Sequence, residues 1–113
     1  MKQISSSEFE KLIIEKSVLE LIDVREQNEW DMIRIPWAKL IPLSSLQFRI
    51  WDIDFSKPVY VFCKTWGRSG KVCTWLEWEW KEATNILWSI KELYLNNSKI
   101  LEITEKFDPN YFS

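Results

Sequence analysis

The chain contains no histidine, two glycines, two cysteines and four prolines in 113 residues. Without imidazole there is no Ser-His-Asp or Cys-His mechanism. Two cysteines and no histidine leave too few nitrogen and sulfur ligands for a zinc site. Neither a metal nor a cofactor is expected. No apolar run approaches the ~20 residues that span a bilayer. Met1 to Glu8 lacks the apolar centre of a signal peptide, so the cytoplasm is the expected compartment and no membrane partner is expected. A net charge of −2 provides no basic field for nucleic acid. The glycine count is abnormal: usage of ~7% would give roughly eight in this length, but there are two, beside eight tryptophans.

What is present suits a single folded domain. Hydrophobic content of 46% and charged content of 28% are ordinary for a globular chain. This length can bury one core without disulfide staples. Ser5 and Glu8 form a capping box ahead of Phe9, Leu12 and Ile13, which predicts a helix of about ten residues. Val18 to Val24 reads as a strand, and Glu26 to Met32 as a short helical turn before Pro36. Ala38 to Ile41 is a short strand, and Pro42 and Ser44 open a short helix to about Arg49. After a polar connection, Val59 to Phe62 is apolar on both faces, as in a central parallel strand. A helix from Ser69 to about Glu79, a strand over Ala83 to Leu87 and a helix over Ser89 to Leu95 follow. In the tail, Lys99 to Phe107 is predicted helical and the end frayed. Alternating strands and helices indicate an α/β fold with a mostly parallel sheet of about five short strands.

The chemistry concentrates in Val59-Tyr60-Val61-Phe62-Cys63-Lys64-Thr65-Trp66-Gly67-Arg68-Ser69-Gly70-Lys71. A cysteine closes the apolar strand, and an arginine follows at the start of a helix. Backbone amides of residues 64 to 69 and the helix dipole would favour negative charge there. Arg68 supplies planar donors for a sulfonate, phosphate or carboxylate. Lys64 adds positive charge, and Ser69 is placed to cap the helix and donate to a bound anion. On spacing alone two readings of Cys63 are equally open: a nucleophilic thiolate, or a buried strand cysteine. Cys73, inside the helix and apolar-facing, reads as core rather than as a resolving thiol.

Two further segments, Leu21-Ile22-Asp23-Val24-Arg25-Glu26 with Glu29-Trp30, and Ile35-Pro36-Trp37-Ala38-Lys39-Leu40-Ile41-Pro42-Leu43, complete a pattern. In order and spacing, the three segments resemble the rhodanese (sulfurtransferase) domain family. Its members read L-I-D-V-R-x-x-x-E-[FYW], G-H-I-P-G-A-x-x-I-P-L and V-x-Y-C-[RK]-x-G-x-R-S, with N-x-x-G-G further on, here Asn85-Ile86-Leu87-Trp88-Ser89. The resemblance covers about residues 4 to 95 and leaves 96 to 113 as a C-terminal extension of one domain, 1 to 113. It implies a three-layer α/β/α fold and a single-domain sulfurtransferase that carries sulfane sulfur as a persulfide on Cys63. The implied partners are a small donor such as thiosulfate and an acceptor, either a thiol, cyanide or a sulfur-relay protein. Lys64, Thr65, Trp66, Gly67 and Arg68 correspond to the loop that cradles the persulfide and the donor anion, with Ser69 beside it. Arg68 matches the arginine that closes this loop. Asp23 and Arg25 match the D-V-R pair, implied to order the surrounding loops as a structural salt bridge rather than to catalyse.

The spacing here is Cys-x4-Arg, as in sulfurtransferases; related phosphatases and arsenate reductases have Cys-x5-Arg, and their arginine would fall on Ser69. A small-anion phosphatase is therefore the weaker alternative, and a catalytically impaired binding or sulfur-relay module is the other. Ile33 and Arg34 replace the G-H that precedes I-P in the family, and Arg34 reads as a surface charge.

Several tryptophans stand where the family has glycine: Trp37 in I-P-G-A, Trp66 in the loop, Trp80 after the cysteine helix and Trp88 in G-G. Trp51, Trp75 and Trp78 fall in polar or solvent-facing contexts, and only Trp30 replaces an expected aromatic. Glycine serves where φ is positive or backbones approach closely, and tryptophan there is penalised. UGA codons that mean glycine, translated under a code in which they mean tryptophan, would account for both counts and positions. UGG at positions 37, 66, 80 and 88 would exclude that account. Its competitors are a diverged domain in which Trp66 covers the pocket, and Trp66 as a stacking platform for a ligand.

Overall fold

The computed structural model describes residues 1–113. Five strands form one sheet: β1 (Lys2–Ser5), β2 (Glu20–Asp23), β4 (Lys39–Leu40), β5 (Val59–Phe62) and β6 (Thr84–Leu87). Their spatial order is β1-β6-β5-β2-β4, and every pairing is parallel. A separate antiparallel pair joins β3 (Ile33–Arg34) to β7 (Glu102–Ile103). The helices are α1 (Ser6–Ile14), α2 (Gln27–Met32), α3 (Leu46–Arg49), α4 (Gly67–Trp78) and α5 (Ser89–Leu95).

The alternation along the strands sorts the core into two layers. Ile22, Val24, Val59, Val61 and Cys63 face one side, packed against Val72, Cys73 and Leu76 of α4 and Leu46 of α3. Leu21, Phe62 and Ile86 face the other, packed against Phe9 of α1 and Ile90 and Leu93 of α5. This is the expected three-layer α/β/α fold with a central parallel sheet.

Ser5 ends β1 and caps α1: its hydroxyl accepts from the Glu8 amide (3.1 Å), and the Glu8 carboxylate completes the box. Helix α4 shows its spacing in Ser69, Val72, Cys73 and Leu76, all buried on one stripe. With glycine scarce, three helices end on left-handed residues that are not glycine. Lys16 (φ 59°), Trp80 (φ 61°) and Asn97 (φ 54°) follow α1, α4 and α5. At each end, two amides donate back to the last turn, in α4 from Trp80 to Glu77 (3.1 Å) and from Lys81 to Leu76 (2.9 Å).

Lys2–Ser5 forms an edge strand that no sequence signal marks, and the tail departs from expectation twice. Lys99 to Phe107 is not a helix: Ile103 pairs with Ile33, and the Thr104 amide donates to the Met32 carbonyl (3.0 Å). The apolar spacing of Ile100, Ile103 and Phe107 mimics a helical period, but backbone pairing with β3 takes the segment instead. Nor is the end frayed. Asp108 caps a short 3-10 helix, Pro109–Phe112, and Phe112 lies buried with its ring stacked 4.8 Å from Tyr94.

Candidate active site

Cys63 directly follows β5, and Lys64, Thr65 and Trp66 bridge it to α4. The β6–α5 turn fixes its backbone. The Cys63 amide donates to Ser89 Oγ (3.3 Å), whose hydroxyl donates to the Ile86 carbonyl (2.6 Å). The Ile90 and Lys91 amides donate to the Cys63 and Lys64 carbonyls (3.4 and 3.0 Å). Ser6 Oγ braces the same turn by donating to the Leu87 carbonyl (2.7 Å). That turn runs through Trp88 (φ 60°) and Ser89 (φ 37°), both left-handed, at the two positions where the sequence pattern expects glycine.

The thiol is buried, 2% exposed, with Sγ 3.2 Å from Ser69 Oγ. Ser69 does not cap α4. The helix starts two residues earlier than expected, at Gly67 with Trp66 at the cap position, so the Ser69 hydroxyl lies inside the first turn, near the thiol and the Trp66 carbonyl (3.3 Å). The amides of residues 64 to 69 have no backbone acceptor in the protein. Unpaired amides at a helix start favour a bound anion. Thr65 is half-buried, and Gly67 is exposed with open space where a side chain would go.

Arg68 does not stand free beside the loop. It meets Glu29 of α2 fork to fork, Nη1 to Oε1 at 2.6 Å and Nη2 to Oε2 at 2.8 Å. Burial pushes the Glu29 carboxyl up, but hydrogen bonds from Arg68, the Glu26 backbone and Tyr111 outweigh it and bring it down to about 2. The same pairing raises Arg68, against the opposing effect of burial.

Asp23 and Arg25 are both fully buried. Arg25 Nη2 lies 2.8 Å from Asp23 Oδ2 and donates to the Ile33 carbonyl (2.7 Å). Burial opposes the Arg25 cation, and the Asp23 charge outweighs it and raises Arg25 further. The pair thus ties the end of β2 to the segment after α2. Arg34 is engaged elsewhere, with Glu102 of β7 at 2.6 Å.

Three contributors escape sequence reasoning. Glu29 is visible only as the acidic residue of E-W, with nothing to mark it as the partner of Arg68. Ser89 occupies a glycine position. Tyr111, in the supposed extension, has no local signal at all. Its hydroxyl donates to Glu29 Oε2 (2.5 Å) and accepts from Arg25 Nη1 (3.3 Å). Its ring faces the Lys64 ammonium, 4.7 Å from the centroid.

Trp66 and Trp88 meet edge to face at 4.3 Å and are each nearly half exposed. Trp66 (φ −148°) is extended and Trp37 is not left-handed, so only Trp80 and Trp88 of the four glycine-site tryptophans hold a backbone that favours glycine. A surface cavity of about 440 Å³ lies at the opposite end of the sheet, where Val59, Tyr60, Trp80 and Thr84 line it; it has no part in the Cys63 geometry.

Residues 5–94 match the model of the family described as Rhodanese-like domain. "Uncharacterized protein YqhL" of Bacillus subtilis is 48% identical over 52 residues, 46% of this chain and 41% of that protein. "Rhodanese-like/PpiC domain-containing protein 12, chloroplastic" of Arabidopsis thaliana is 41% identical over 64 residues, 51% of this chain and 21% of that protein. The chain spans less than half the length of these curated relatives. A solved rhodanese-like domain protein from Staphylococcus aureus superposes with a TM-score of 0.79 at 28% identity, over 93% of this chain and all of that one.

Proposed function

The chain belongs to the rhodanese-like domain family, and from that premise we propose that it is a sulfurtransferase with Cys63 as the sulfur carrier. The Cys63 thiolate attacks the outer sulfur of thiosulfate. The sulfur–sulfur bond of the donor breaks, sulfite leaves with the bonding electron pair, and a persulfide forms on Cys63. An acceptor thiolate then attacks the outer persulfide sulfur and takes it, and Cys63 leaves as thiolate.

The observation that carries this reading is the set of free amides from residues 64 to 69 beside a thiol at the strand end. An anionic donor and a terminal persulfide sulfur both need donors there, and these groups supply them without histidine. Ser69 Oγ lies 3.2 Å from Sγ, and its hydroxyl, which here donates to the Trp66 carbonyl at 3.3 Å, reaches the same anion by rotating away from that carbonyl. Arg68, matched by Glu29, holds the start of α4 in place rather than offering an unopposed cation. Lys64, and the Asp23–Arg25 pair through the segments it ties, complete the surround. The Cys-x4-Arg spacing favours sulfur over phosphoryl transfer, because Ser69 stands where the larger phosphate loop needs its arginine.

Intact mass after incubation with thiosulfate tests the reading. A gain of one sulfur atom that is absent in Cys63→Ser supports it. The 2% exposure of the thiol favours one second reading, a non-catalytic binding or relay module, and no mass gain from thiosulfate or a thiol persulfide would establish that instead.

A further inference from the structure

The C-terminal segment reaches into the site through one residue. Tyr111 stands between a buried arginine and a carboxylate, accepting from Arg25 Nη1 (3.3 Å) and donating to Glu29 Oε2 (2.5 Å). Two arginines and two acids meet here, and they are sorted: Asp23 serves Arg25, and Glu29 serves Arg68. Nothing in charge alone enforces that sorting. Arg25 Nη1 has only a long contact to the Glu29 carbonyl (3.5 Å) besides Tyr111, and Arg25 is fully buried. A buried cation nitrogen without an acceptor is costly, so a carboxylate within reach would turn toward it.

We propose that Tyr111 is a positioning residue of the active site, a spacer that satisfies Arg25 and keeps the Glu29 carboxylate turned to Arg68, so that Arg68 is held at the Cys63 loop. The segment is built to hold it. Phe112 is buried, Asp108 Oδ1 accepts from the Asn110 amide (2.9 Å), and the Tyr111 ring packs edge-on to Phe112 at 4.7 Å. Burial also raises the Tyr111 hydroxyl above its ordinary value, so it remains a donor at neutral pH. Arg68 directly precedes Ser69 in the first turn of α4, and Ser69 Oγ lies 3.2 Å from Cys63 Sγ, so a displaced Arg68 shifts that turn against the thiol and changes how it meets anions.

The proposal rests on Cys63 as the reactive thiol, and its test does not need turnover. Cys63 of the full chain is alkylated with iodoacetate, an anion, and with iodoacetamide, its neutral counterpart, and labelling is assigned by peptide mass. Tyr111→Phe keeps the ring and removes only the hydroxyl. It should lower the iodoacetate-to-iodoacetamide rate ratio at least about threefold, the effect expected when one charge-assisted hydrogen bond is lost, whereas general loosening would raise both rates alike. In a Glu29→Gln background, the same change should have no further effect. An unchanged or raised ratio, or an equal drop in the Glu29→Gln background, would overturn the proposal. Thiosulfate loading of the wild type is measured alongside: if it is absent while the ratio still falls, the sulfurtransferase reading fails and the positioning role stands.

Discussion

Arg68 and Glu29 face each other through both nitrogens and both oxygens, at 2.6 and 2.8 Å. The pair bolts the first turn of α4, which follows the Cys63 loop directly, to α2. A planar fork is needed for this, and a lysine can satisfy only one of the two oxygens at a time. Arg68→Lys should therefore keep the fold and the charge but loosen the loop. Thiosulfate-to-cyanide turnover should show a KM for thiosulfate about tenfold higher, the equivalent of one such hydrogen bond, and an unchanged KM would remove Arg68 from donor binding.

The same pair makes acid sensitivity local. Glu29 sits at about 2 in the fold against an ordinary 4.5. Its folded value is depressed, so its stabilisation is complete above about pH 4.5 and is lost as pH falls toward 2. The difference corresponds to about 3 kcal/mol at neutral pH. Glu29→Gln should therefore be less stable than the wild type near neutrality, and the gap should narrow steadily in acid. Denaturant unfolding of both proteins between about pH 6 and about pH 2.5 reads this directly. A gap that stays constant would place the effect of the substitution outside the ionised carboxylate.

What the sequence reveals of this fold follows the range of the interactions. The alternation of Val59 to Phe62, the Ser5–Glu8 box and the stripe of Val72, Cys73 and Leu76 are local signals, and their elements stand where expected, to within a few residues. The spacing of Cys63 and Arg68 marks the loop for the same reason. β1 is short and at the sheet edge, with Lys2 and Gln3 exposed, so it carries no apolar pattern. β3 and β7 pair across residues far apart in the chain, and neither has enough length to signal itself. Glu29 and Tyr111 reach the candidate site only through contacts that the fold creates, and Tyr111 lies beyond the residues that match the family.

Trp80 and Trp88 are the residues least suited to their backbones. Both hold φ near 60°, where a β-carbon is crowded and glycine is not. Trp80 is 95% exposed and gains nothing from burial in return. Trp80→Gly and Trp88→Gly should each raise stability by about 1 kcal/mol. Trp78, the last residue of α4 and also exposed, is the control, because glycine within a helix costs up to about 1 kcal/mol. Thermal unfolding of the three variants should show opposite signs. A loss of stability in all three would mean that the indoles stabilise these turns through contacts that outweigh the backbone strain.

Cys73 lies in the same core cluster as Cys63 and is equally buried, yet the two thiols differ in surroundings. Cys63 directly precedes the loop with unpaired amides and has a polar neighbour, Ser69 Oγ, 3.2 Å from Sγ, whereas Cys73 lies within α4 beside Val72 and Leu76. Burial, with the charge of Cys63 adding to it, pushes the Cys73 thiol up to about 12. At pH 8 its thiolate is then about one part in ten thousand, too little to resolve a persulfide on Cys63 at a useful rate. Iodoacetamide at that pH should label Cys63 in the native protein, and Cys73 only after denaturation. Cys73→Ala should cost about 1–2 kcal/mol of stability through the cavity it leaves, while sulfur loading by thiosulfate proceeds as in the wild type. If the variant loads but no longer hands sulfur on, or if a Cys63–Cys73 disulfide forms after thiosulfate treatment, Cys73 is a resolving thiol and the core assignment is wrong.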